Sequence, residues 1–188
     1  MHLLLGLGNP GREYIFTKHN AGFRTLDLLA GEYKLSWAKK YRGLYSSFIY
    51  NSQTVGMIKP HTYMNLSGLS LVSYLKSQKK DFLEISNNIL VIHDDLDLPL
   101  GVIRFKKDGS SGGQKGVESI VAMMGTKSFS RLKIGIGRPS GGMSGEEFVL
   151  LPFTGDSAIL FEETIDRAVV AIKCYLDNGI SYAQSLFN

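Results

Sequence analysis

The sequence predicts an α/β fold: a twisted mixed, mostly parallel sheet with helices on both faces, built as a single domain over residues 1–188. Two observations carry that prediction. Short apolar runs alternate along the chain with segments whose apolar residues recur at helical spacing. One of those runs, Ile89-Leu90-Val91-Ile92, is unbroken and bounded by Asn87-Asn88 and His93-Asp94-Asp95, as expected of a strand covered on both faces.

The elements follow in chain order. Leu3–Leu7 reads as a first strand, and the glycine-rich Gly8–Gly11 turns away from it. Asn20 is placed to cap a helix from Ala21, with Phe23, Leu26, Leu29 and Ala30 on one side. Leu44–Tyr50 and Thr54–Lys59, joined through Asn51-Ser52, read as a hairpin, which makes the sheet mixed. Asn65 or Ser67 opens a helix carrying Leu66, Leu69, Val72 and Leu75. After the central strand, Val102–Lys106 reads as a strand, Lys107–Gly113 as a polar loop, Val117–Met124 as a helix and Leu132–Ile136 as a strand. Pro139–Gly145 is a Gly/Ser loop expected to be mobile. Thr154 or Asp156 caps a long final helix that should end near Gly179.

Composition bounds the function. A chain of 188 residues, 44% hydrophobic and 20% charged, is long enough for one full core. No apolar run is long enough to span a bilayer. Met1–Gly6 lacks a basic flank and reads as a strand rather than a signal peptide. The single cysteine, Cys174, excludes an internal disulfide and reads as a buried structural thiol in a helix. The expected location is the cytoplasm and the expected state a monomer, with no membrane partner. Residues 146–188 hold seven acidic and two basic residues, a balance of −5. The rest of the chain holds 19 basic and ten acidic residues, a balance of +9. That asymmetry fits either a polyanionic partner on one face or a solvated surface.

Gly6, Gly8 and Gly11 satisfy G-x-G-x-x-G after a strand, the pattern of a dinucleotide loop. Pro10 sits inside it, however, and Glu13–Lys18 separate it from the helix whose N-terminus would meet a pyrophosphate. No acidic residue ends a second strand where a ribose partner belongs. No nucleotide cofactor is therefore expected.

Polar clusters follow three strand ends: Gly8-Asn9-Pro10, His93-Asp94-Asp95 and Arg138. A fourth, His61-Thr62-Tyr63-Met64-Asn65, follows the hairpin. In open α/β sheets such strand ends carry the site. Of the four histidines, His19 stands before a helix and near the loop of Asn9, where an imidazole serves either as a general base or as a helix-start hydrogen-bonder. Asp94 is a candidate to orient it. Asp94, Asp95 and Asp97 form an acidic cluster, but Leu96 and Leu98 alternate with them and no second carboxylate cluster ends a strand, so no metal is expected. Asn9 and Asn65 bring amides that can hold a carbonyl or an oxyanion.

Taken together, Gly6-Leu7-Gly8-Asn9-Pro10-Gly11-Arg12-Glu13-Tyr14, Thr17-Lys18-His19-Asn20-Ala21-Gly22, Lys59-Pro60-His61-Thr62-Tyr63-Met64-Asn65-Leu66-Ser67-Gly68, His93 through Gly101 and Arg131 through Pro139 resemble bacterial peptidyl-tRNA hydrolases over essentially the whole chain. The resemblance implies hydrolysis of the ester between a peptide and the 3′-terminal ribose of tRNA, without cofactor, recycling tRNA from prematurely released peptides. It implies His19 as base and Asp94 as its partner. It also implies Asn9, Met64 and Asn65 along a peptide groove and Tyr14 beside the tRNA end. Arg104, Lys106 and Lys133 fall where the family places basic tRNA contacts, with Arg131 nearby. One departure stands out. Where the family usually has His-Asn-Gly after the glycine-rich loop, with the asparagine on the substrate, this chain has Gln114-Lys115-Gly116. Either Gln114 supplies the lost amide, or Lys115 makes a phosphate contact instead. A silent RNA-binding protein is the alternative reading, since some plant organelle splicing factors use the same fold that way.

Overall fold

In a computed structural model that describes every residue from Met1 to Asn188, the central strand β1 (His2–Gly6) pairs in parallel with β4 (Gln53–Pro60) on one side and β5 (Ile89–Asp95) on the other. β5 continues the parallel centre to β7 (Ser130–Gly135). The edges are antiparallel. β3 (Gly43–Tyr50) forms the expected hairpin with β4, and β6 (Ile103–Lys106) lies against β7. A three-residue strand, β2 (Ala38–Lys40), closes the outer edge, so the seven strands run β2-β3-β4-β1-β5-β7-β6.

Strand periodicity divides the core. Leu4, Leu90, Ile92, Leu132 and Ile134 face α1 (Ala21–Glu32) and α6 (Asp156–Phe187). Leu3, Leu5, Ile89 and Val91 face α2 (Gly68–Gln78) and α4 (Lys115–Met124). Two short helices, α3 (Phe82–Ile85) and α5 (Gly145–Val149), complete the chain. No helix is long and apolar enough to cross a membrane.

Three expectations need correction. Asn20 does not cap α1; its side chain is engaged elsewhere. The last helix does not end at Gly179. That residue breaks the helical path (φ 79, ψ 175), but the helix resumes and reaches Phe187, burying Ala183 against the core. Its N-cap is Gly155 rather than Thr154 or Asp156, with no side-chain cap. Cys174 lies in this helix, half-buried against the core.

Candidate active site

His19 lies in a 3-10 turn, Lys18–Asn20, that runs straight into α1. Lys18 anchors the turn. Its backbone N–H donates to the Leu151 carbonyl at 3.1 Å, and its ammonium donates to the Leu151 and Pro152 carbonyls at 3.2 and 2.9 Å. The same ammonium lies over the rings of Phe148 and Phe153, at 4.3 and 4.6 Å. Gly22 sets the depth of α1. A Cβ there would stand 2.3 Å from the Ile92 carbonyl oxygen and 2.4 Å from the Leu7 nitrogen. Gly6 is its counterpart, since a Cβ on it would meet the Gly22 oxygen at 2.5 Å. The first glycine of the apparent dinucleotide motif thus serves helix–strand contact, and that contact brings the start of α1 to the end of β5.

At that junction the His19 Nδ1 meets Asp94 Oδ2 at 2.8 Å, with both residues buried. Burial alone would lower the His19 pKa, but the Asp94 charge and hydrogen bond outweigh it and hold the imidazole above its ordinary value. Burial in turn works to raise Asp94. The charge of His19 and the hydrogen bonds of His19 and Gln114 outweigh it and hold Asp94 below the usual carboxylate range. A carboxylate accepts only, so Nδ1 carries the proton toward Asp94 and Nε2 is left as the basic ring nitrogen, without a protein partner.

Asp94 is held at its other oxygen as well. Gln114 Nε2 donates to Oδ1 at 3.0 Å, while Gln114 Oε1 caps α4 by accepting the Val117 N–H at 2.8 Å. The neighbouring acids are separately engaged: Asp95 pairs with Lys133, and Asp97 with Arg138 at 2.5 Å. The three aspartates do not converge, and no group of three His, Cys, Asp or Glu side chains is arranged to hold a metal. His93 is fully buried, with Nδ1 2.7 Å from the Asp94 carbonyl oxygen; burial pushes its pKa down to about 4, so its ring is neutral.

The amides converge from two loops. Asn20 Oδ1 accepts the Asn9 N–H at 2.7 Å, and Asn20 Nδ2 donates to the Asn9 carbonyl at 3.0 Å, which fixes the loop after β1. Asn9 Oδ1 accepts the Met64 N–H at 2.8 Å, leaving its Nδ2 as the free donor. Tyr63, just before Met64, is held at φ 58, ψ 161, a region L-residues rarely occupy. Asn65 is exposed beside them.

His19 lines two cavities. One, of about 250 Å³, is walled by Asp94, Asp95, Gln114 and the Ser111–Gly113 loop. The other, of about 230 Å³, is walled by Asn9, Tyr63, Met64, Asn65 and Leu150. Lys115, Glu146 and Val149 border both. A larger depression of about 440 Å³, between the C-terminal ends of α2 and α4, is lined by Lys76, Lys79 and Lys80 and lies away from His19.

The expected site residues therefore divide. Asp94 and Gln114 line one cavity and Asn9, Met64 and Asn65 the other, while His19 and Lys115 line both. Tyr14, half-buried, lines neither cavity. Arg104 is exposed and Lys106 half-buried on β6, with Arg104 directly opposite Lys133 on β7. Lys133 is not a free cation, because Asp95 takes its ammonium. Arg131 is a correction. It is 0% exposed, and its guanidinium donates to the Ser110, Gly109 and Lys127 carbonyls at 2.6, 2.6 and 3.2 Å, so it supports the glycine-rich loop and presents nothing to a phosphate. Glu146, Val149 and Leu150 were not foreseen. The signal for them was the capping box Ser144-x-x-Glu147, which starts α5.

Residues 3–188 match the peptidyl-tRNA hydrolase family. A peptidyl-tRNA hydrolase of Desulfitobacterium hafniense is 41% identical over 191 residues, covering 100% of both chains. One from Bacillus subtilis is 40% identical over 190 residues, covering 100% of this chain and 98% of its own. The crystal structure of the Acinetobacter baumannii peptidyl-tRNA hydrolase superposes with a TM-score of 0.89 at 34% identity, covering 100% of this chain and 94% of that one. Matched end to end in sequence and in fold, the chain belongs to the peptidyl-tRNA hydrolase family.

Proposed function

We propose that this protein hydrolyses the ester joining a peptide to the 3′-terminal ribose of tRNA, with His19 as general base and Asp94 as the group that orients it. The observation that carries the reading is the buried His19–Asp94 contact of 2.8 Å, with His19 also lining the cavity of Asn9 and Asn65. Water is deprotonated by His19 Nε2 as its oxygen bonds to the ester carbonyl carbon. Asp94 stabilises the imidazolium that forms. Asn9 Nδ2 and the Asn65 amide donate to the peptide carbonyl or the developing oxyanion. When the tetrahedral intermediate collapses, the C–O bond to the ribose breaks and the ribose oxygen takes the proton back from His19. The peptide leaves as a carboxylic acid that gives its proton to solvent, and the tRNA is free to be recharged.

The peptide belongs in the cavity bounded by Asn9, Met64 and Asn65, where contacts to a peptide bond separate peptidyl- from aminoacyl-tRNA. Arg104 and Lys106 are the cations available to tRNA phosphates, which they bind without reading sequence. Tyr14 has the exposure to meet the nucleic acid outside the cleft. The test is a release assay with labelled N-acetylaminoacyl-tRNA and the corresponding unblocked aminoacyl-tRNA. Catalytic cleavage of the first and sparing of the second is the expected result. Binding of the first without cleavage would mark a silent RNA-binding protein.

A further inference from the structure

Gln114 uses its whole amide inside the protein. Oε1 takes the Val117 N–H, and the Nε2 hydrogens are directed to Asp94 Oδ1 at 3.0 Å and Met64 Sδ at 3.3 Å. The side chain is buried and keeps no donor for a substrate. Asp94 has one partner on each oxygen, His19 on Oδ2 and Gln114 on Oδ1. A continuous path thus runs from the first turn of α4 through Gln114 and Asp94 to the His19 ring.

We propose that Gln114 is a positioning residue that fixes the Asp94 carboxylate against His19 and keeps the imidazole from holding its proton too tightly. The inference rests on the reading of His19 as the base. Its physical basis is competition for one carboxylate. A hydrogen bond donated to Oδ1 stabilises the anion and draws charge from Oδ2, so the attraction of Oδ2 for a protonated His19 is weaker than it would be with Oδ1 bare. Without that bond, Asp94 is free to rotate about its terminal torsion, and its charge has the imidazole as sole partner. Other charged or titratable groups surround the cleft, some buried and some exposed. They are Asp95 on β5, Lys115 on α4 and Glu146 on α5, with Lys18 beside His19 in the chain and His93 neutral behind Asp94. Asp95 is taken by Lys133, and Lys115 lies 3.6 Å from Glu118. Gln114 is therefore the one side chain besides His19 that hydrogen-bonds the Asp94 carboxylate. The change from the family's His-Asn to Gln114-Lys115 then reads as a different support for the same acid–base pair rather than as a relocated substrate amide.

Two variants separate this role from the capping of α4. Gln114→Met keeps the length and excludes water, but has neither the N–H nor the cap. Gln114→Ser keeps a cap for Val117 but is too short to reach Asp94. The His19 ring midpoint, followed by NMR in the intact protein, is expected to rise by about half a unit to one unit in Gln114→Met and in the same direction in Gln114→Ser. In both, kcat/KM for peptidyl-tRNA should fall by roughly threefold to tenfold near pH 6, with the loss shrinking as pH rises. An unchanged midpoint in Gln114→Met, or a rise that Gln114→Ser does not share, overturns the proposal. So does a loss of kcat/KM that is uniform across pH. The ring titration is read without turnover, so an inactive wild-type protein would defeat the proposed function and still leave the role of Gln114 decided.

Discussion

A buried imidazole, left to burial alone, titrates below 6.5; His19 is held above that value by the charge and hydrogen bond of Asp94. The sign matters for catalysis. A general base works only when unprotonated, so a raised pKa moves the acid limb of activity upward. The expected profile of kcat/KM therefore rises through a midpoint above 6.5 to an alkaline plateau, measured with peptidyl-tRNA at constant ionic strength. A midpoint below 6.5 would mean that Asp94 does not govern the ring in solution. His93, the strand residue directly before Asp94 and so on the other face of the sheet, is held neutral by burial and leaves no titration in that range.

At the scale of elements, the site depends on how closely α1 approaches β1 and β5. Gly22→Ala places a methyl against the Ile92 and Leu7 backbones, which have no flexible end to give way. The expected cost is about 3 kcal/mol of stability with a marked fall in kcat, since the His19 turn must retreat from Asp94. Chemical denaturation gives the first quantity, and a cost near zero would show that the helix has room to move. The same scale explains what was legible in the sequence. β1, β5, the hairpin and α1 announced themselves because local periodicity reports burial directly. His19, Asp94, Asn9 and Asn65 stood out because each follows a strand or starts a helix. Asn20 misled because its residue type and position suit a cap, whereas its partner Asn9 lies eleven residues back across a loop. Arg131 misled because burial of its guanidinium depends on where the Gly109–Ser110 loop folds, which no local pattern records. β2 has only Ala38-Lys39-Lys40 and no apolar alternation to mark it. Gln114 was legible as a departure, but its bond to Asp94, twenty residues away, was not.

Across the whole molecule, charge and cleft are joined through the sheet. β6 forms the edge carrying exposed Arg104, and Lys133 on the next strand reaches Asp95 at the cleft wall. This is the edge on which we propose that the tRNA phosphates lie. Arg104→Ala and Lys106→Ala are each expected to raise KM for peptidyl-tRNA and to flatten the log–log salt dependence of binding by about one, with kcat little changed. An unchanged salt slope would move the RNA to another face. The role of His19 is tested by peptide release from labelled peptidyl-tRNA by His19→Ala whose fold is verified by circular dichroism. A loss of about a hundredfold to ten-thousandfold in kcat is expected, with the substrate still bound. Near-normal turnover by the folded variant would contradict it.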